Sequence, residues 1–389
     1  MLIGFRPSFA CLVFALCGCT SLLGAQSTVP PNYVLQWTDP FTGSALNTTT
    51  WNYRTDIKAK SAQLPANVSL DGHGHMVIAL RHQPFAGQQF TGGGIVSKAA
   101  FRYGYFEVKA KTTTNPGWHS SFWLFAGNGS TTFAPGGLTE IDDFEIDSAH
   151  PEVISMGRLE WANAKAIASQ RCNAHFKPGY STAAEFHTYG LEWTENQITY
   201  YLDGAKICTQ DYPPTQYTHD ELNLWLTAIG YGSDVAVTDP SSGVSFADAA
   251  YYIRDYYIGN GEPGYVEYGP GWRESLEPGF SKIPARQSCL AGAFATYNPT
   301  ILQAGRYDVE LYALPGTDGD SGASFTIQHA AGATRKKINL TASNTGWVDL
   351  GDYSFAPGSG GSLTVANSGD GCIRTSMVKF VRHSREPIQ

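Results

Sequence analysis

Charge is what this 389-residue chain has least of: 15% of its residues are Asp, Glu, Lys or Arg, and acids outnumber bases 34 to 26. A net charge of −8 argues against a nucleic-acid partner, because phosphate binding needs a basic face. Sulfated polymers are polyanions too, so the same balance counts mildly against them unless a local basic groove overrides it. Past residue 25 no apolar run is long enough to span a bilayer as a helix. Beyond the three cysteines at positions 11, 17 and 19, only Cys172, Cys208, Cys289 and Cys372 remain. Their wide spacing matches no zinc pattern, so they yield no metal ligand set. A sustained helical period is missing as well, which excludes coiled coils and helical bundles.

What is plentiful is aromatic residues, at 13%, and glycine, 42 in all. That combination suits a strand-rich exported protein. Residues 1–25 form a leader, with Arg6 as its positive start and Phe9 to Leu16 as a short apolar run. Leu16-Cys17-Gly18-Cys19 resembles a lipoprotein cleavage box, making Cys19 a candidate outer-membrane lipid anchor; cleavage near Ala25 with plain secretion is the other reading. Both predict a secreted or cell-surface protein. An oxidising compartment allows two disulfides. Cys172–Cys208 and Cys289–Cys372 are expected, one per domain, since a bridge inside one unit leaves domain docking free.

Strand-length runs recur at short intervals. They include Tyr33 to Phe41, Met76 to Leu80, Gly92 to Ser97, Tyr103 to Lys111, Trp118 to Phe125, a hairpin over Phe186 to Gly204, Leu222 to Ile229 and Ala250 to Ile258. The pattern predicts an all-β protein built as an antiparallel sandwich. Asn260-Gly261-Glu262-Pro263-Gly264 is the best linker, dividing a first domain over 31–260 from a smaller β-sandwich over 265–385.

One stretch stands out, Thr139 to Asp147, with five carboxylates in eight residues just after a Gly-Gly turn. Ile141, Phe144 and Ile146 interleave with the acids, so a strand with one acidic and one core edge is expected. Glu140 and Asp142 share a face by alternation, whereas Glu145, five places from Glu140, falls on the other. A β-bulge would bring Glu145 back beside them. Neighbouring carboxylates repel, so one is pushed towards its protonated form while the other stays ionised. A retaining glycosidase needs such a pair, with carboxyl groups roughly 5–5.5 Å apart. A calcium site and a solvated acidic edge remain equally open from the spacing alone.

In order, YGYFEVKAK (103–111), HSSFWLF (119–125), TEIDDFE (139–145) and FHTYGLEWTENQITYYLDG (186–204) resemble family 16 of the glycoside hydrolases, over about 33–259. The resemblance implies a β-jelly-roll sandwich with an open cleft, and endo-acting, retaining hydrolysis of a β-glycan. It makes Glu140 the nucleophile and Glu145 the acid/base, with Asp142 hydrogen-bonded between them. The two-residue gap before Glu145 is similar to the bulged branch of laminarinases, agarases, porphyranases and carrageenases. Asp143 stands where the family usually has an apolar residue, which implies an unusual bulge or a ligand contact.

His119 and Trp123, four apart, share a face, so Trp123 is expected to stack on a sugar and His119 to bond its hydroxyls or a sulfate. Trp118 is a further candidate for sugar contact, with core packing as its other reading, as for Trp193 and Trp225. Many β-1,3-glucan members of the family carry Trp where His119 stands, and a Trp-Pro segment with Gly before the catalytic strand. Both features are missing here, which tips the expected substrate towards a red-algal galactan over a β-1,3(1,4)-glucan. A sulfated galactan would need some of Arg54, Arg81, Arg102, Arg158, Arg171 or Lys98 in the groove. A transglycosylase with the same acids and a non-catalytic glycan binder are the competing classes.

The second unit, with strands such as Gly305 to Tyr312, Gly346 to Tyr353 and Met377 to Arg382, resembles the golvesin-type domain of xanthan lyases. That resemblance implies carbohydrate binding or cell-surface association. No cofactor is expected, structural calcium stays open, and the expected state is a monomer whose partner is a polysaccharide.

Overall fold

The computed structural model describes residues 28–130, 139–215, 219, 221–281, 283–341 and 345–383. The stretch expected to be a leader, with Cys19, and the Gly-Gly turn before the acidic strand lie outside them. Among the described residues there is no α-helix, and the chain is all-β as expected. An eight-stranded and a ten-stranded sheet share one hydrophobic core, and sheets of four, five and three strands make the C-terminal unit.

The acidic strand Thr139–Asp147 lies inside the ten-stranded sheet, antiparallel to Trp118–Phe125 on one side and Ile154–Ala162 on the other. Its Ile141, Phe144 and Ile146 are fully buried, and the Phe144 ring sits 4.2 Å from Tyr189 of the opposing sheet. Each such side chain contributes roughly 1.5–3 kcal/mol of burial, which holds the strand in the sheet despite its repelling acids. The expected bulge is present. Phe122 pairs with Phe144 but Trp123 pairs with Asp142, which skips Asp143. On the other flank Asp142 pairs with Gly157 and Glu145 with Ser155, so Asp143 and Phe144 together stand against Met156. The extra residue shifts the alternation and returns Glu145 to the face of Glu140 and Asp142.

Three features differ from the sequence reading. A hairpin of Ile154–Ala162 and Lys165–Phe176, absent from it, completes the edge of the ten-stranded sheet. The run Ala250 to Ile258 is not one strand. Val244–Ile253 belongs to the first unit, whereas Tyr256–Gly259 pairs with Met377–Arg382 and puts Ile258 in the second core. Arg254 and Asp255 make the turn between them: they pair at 2.7 Å, and Asp255 accepts the Arg382 backbone N–H at 2.9 Å.

The segment after Gly259 is not a free linker either. The Asn260 amide donates to the carbonyls of Pro284 and Thr375 and accepts from the Tyr297 hydroxyl, while Glu262 pairs with the buried Arg102 at 2.6 Å. A second clasp is Glu195, at the tip of the hairpin His187–Leu202, which accepts from Trp347 Nε1 at 2.6 Å and Lys379 Nζ at 2.9 Å. Both disulfides pair as expected, Cys172–Cys208 joining the two sheets of the first unit and Cys289–Cys372 lying within the second.

Candidate active site

Glu140, Asp142 and Glu145 open onto a cleft whose other walls are Arg54, Lys58, His119, Trp123, Trp161 and Tyr231. It holds about 220 Å³, less than the roughly 300–1,000 Å³ of enclosed ligand pockets, which suits one segment of an open groove. Trp123 forms the floor. Its ring stacks on Trp225 at 4.7 Å, its Nε1 donates to Thr227 Oγ1, and the Arg54 guanidinium lies over both indoles. Arg54 is itself held by both oxygens of Asp56, at 2.7 and 3.0 Å.

Each acid has its own partners. Glu140 accepts from Trp161 Nε1 at 3.0 Å. Glu145 receives the Arg171 guanidinium on Oε2, and its Oε1 lies 3.5 Å from His119 Nε2. Arg171 also reaches Asp142 Oδ2 at 3.4 Å, and the other ring nitrogen of His119 bonds Asp147 at 2.8 Å.

These neighbours drive the acids apart electrostatically. Burial, then the charge of Glu145, pushes Glu140 up to about 7. Burial and the two glutamates raise Asp142 well above the usual carboxylate range. Burial works the same way on Glu145, but hydrogen bonding and charge from His119, then Arg171, outweigh it and hold that carboxyl low. For His119, burial favours the neutral ring, yet Asp147 and Glu145 push the imidazole up to about 9. These shifts favour a proton on the Glu140–Asp142 side of the cleft and an ionised Glu145.

The family model of glycosyl hydrolases family 16 matches residues 49–234, the whole span of this cleft. This domain belongs to family 16 of the glycosyl hydrolases. The Golvesin C-terminal domain model matches residues 282–382. A β-glucanase of Rhodothermus marinus is 27% identical over 210 residues, covering 50% of this chain and 72% of that protein. A κ-carrageenase of Pseudoalteromonas carrageenovora is 28% identical over 151 residues, covering 36% of this chain but 37% of its own. Porphyranase B of Zobellia galactanivorans superposes with a TM-score of 0.48 at 19% identity, over 57% of this chain and 92% of its own.

Two expected contacts of the family 16 domain are corrected. Trp118 is fully buried in the core, its Nε1 bonded to the Ala236 carbonyl, because it precedes His119 in the strand and so faces the other way. Asp143 is buried on the core side of the bulge and touches no part of the cleft. Among the cations singled out, Arg54 and Arg171 reach the groove. Arg81 bonds Asn67, Arg102 pairs with Glu262, Arg158 pairs with Glu160, and Lys98 is not in the lining. Trp161, Lys58 and Tyr231 were missed. For Trp161 a signal existed: an aromatic in the apolar-polar run directly after the acidic strand.

Proposed function

We propose that the family 16 domain is an endo-acting, retaining hydrolase of a β-linked polysaccharide. Glu140 attacks the anomeric carbon, Glu145 protonates the leaving oxygen and later activates water, and Asp142 holds the proton between them. The observation that carries this reading is the bulge, which aligns all three acids on the cleft face of one strand. Because Glu140 starts with the raised pKa, the reactive form is the one in which the shared proton has moved to Glu145.

For the substrate we favour a red-algal galactan. The support is Lys58 and His119 in the cleft lining, with Arg171 on its acids, since cationic side chains suit sulfate groups. An endo-β-1,3(1,4)-glucan is the second reading, favoured by the Trp123–Trp225 platform, which can stack on an unsubstituted ring. Export through the leader, with or without a lipid on Cys19, would put the protein among such polymers. The C-terminal unit would bind carbohydrate or hold the protein at the cell surface.

A screen of the purified protein on laminarin, lichenan, agarose, porphyran and carrageenans, with products sized, tests this. Rapid early shortening of agar, porphyran or carrageenan with little action on laminarin is expected. Cleavage of laminarin alone decides for the glucan. Longer products than the starting oligosaccharides would mean transglycosylation, and binding without cleavage would mean a lectin-like role.

A further inference from the structure

Glu145 must hand a proton to the departing sugar oxygen, yet both of its oxygens face cations. The charged groups around it are Glu140, Asp142 and Asp147 from its own strand, His119 from Trp118–Phe125, and Arg171 from Lys165–Phe176. Across the cleft stand Lys58 and Arg54, the latter committed to Asp56; Ser155, opposite in the ladder, is neutral. His119 is fixed, with its side chain 14% exposed and its second nitrogen on Asp147. Arg171 is 35% exposed on a strand that is open to solvent along most of its length. Of the two cations, Arg171 is the one free to swing away.

We propose that Arg171 is a substrate-displaced latch on the proton donor, drawn off Glu145 by a sulfate or carboxylate group that the glycan carries beside the cleaved bond. This rests on the hydrolase reading of the cleft. A neutral sugar offers Arg171 only hydroxyls in exchange for two carboxylates. An anionic substituent offers two oxygens in the geometry of the guanidinium fork, and so replaces what is lost. Once Arg171 has moved, Glu145 keeps a single cation, and its affinity for the shared proton rises towards that of Glu140. Arg171 is thus a positioning residue that couples substrate charge to the protonation of the acid.

The test compares wild type, R171Q and R171K on a sulfated galactan and on the same polymer chemically desulfated. Wild type should prefer the sulfated form. R171Q should lose that preference by about tenfold or more, the effect of one charge-assisted contact, while R171K keeps part of it. On the desulfated polymer the basic limb of the kcat/KM profile of R171Q should move up by about one pH unit. Carboxyl NMR titration of Glu145 in the ligand-free proteins should shift the same way. Equal preference in wild type and R171Q, an unmoved Glu145 titration, or a wild type that cleaves only neutral glycans would each overturn the latch. E145Q separates the two ideas: an active wild type beside an E145Q slowed by about a hundredfold or more upholds the cleft, so that an unchanged R171Q sinks the latch alone. A wild type inert on every glycan overturns both.

Discussion

Glu140→Gln should lower turnover on the order of 10⁴-fold or more, since it removes the nucleophile of a double displacement. Glu145→Gln should cost roughly 10²–10⁴-fold, the usual share of general acid–base catalysis, and less on substrates with acidic leaving groups. Neither change touches the core, because both side chains face the cleft, so thermal melting should stay near that of wild type. The roles separate with Ala variants and azide. In Glu140→Ala, azide displaces the leaving group once and gives an inverted glycosyl azide. In Glu145→Ala, it attacks the glycosyl-enzyme and gives the retained one. Near-normal turnover by Glu140→Gln, or an inverted anomer at early times from wild type, would end the assignment.

Asp143→Asn should stabilise the fold at neutral pH and do little near pH 4. The Asp143 carboxyl is buried in the core, its Oδ2 has no hydrogen-bond partner among the described residues, and burial with the nearby Glu107 charge raises it well above the usual carboxylate range. In the folded chain it keeps its proton at pH values where the unfolded chain, titrating near about 4, has released it. Stability from this group is therefore whole below pH 4. It falls by about 1.4 kcal/mol per pH unit above that, until the raised pKa is passed. Asn has the same shape and no such dependence. Urea unfolding at pH 4, 5.5 and 7 should give curves for the two proteins that diverge as pH rises; parallel curves would mean that Asp143 is ionised and solvated in the fold.

The acidic strand was legible in the sequence because its apolar and acidic residues alternate on either side of a single break at Asp142-Asp143, and the odd spacing of Glu145 announced the bulge. The hairpin that follows it was not. Lys165–Phe176 is exposed through most of its residues, so no buried face marks it; the ladder to Ile154–Ala162 and the Cys172–Cys208 bridge hold it instead. With that hairpin went Trp161, and the reason for Arg171's importance. Trp118 and His119 are consecutive, and alternation admits one of them to the cleft. The buried neighbours that decide which come from elsewhere in the chain. Tyr256–Gly259 misled for a related reason: its pattern continues that of Val244–Ile253, and a change of partner sheet leaves no local trace.

That change of sheet bears on how the molecule comes apart. A cut at Asn260, the obvious place to excise the first unit, would carry away the strand that covers Met377–Arg382 and would pull Ile258 out of the second core. The remaining fragment would expose an unpaired, largely buried strand edge, a template for aggregation. With the Glu195 and Arg102 clasps also spanning the junction, the two units are expected to melt as one cooperative block rather than in two calorimetric steps.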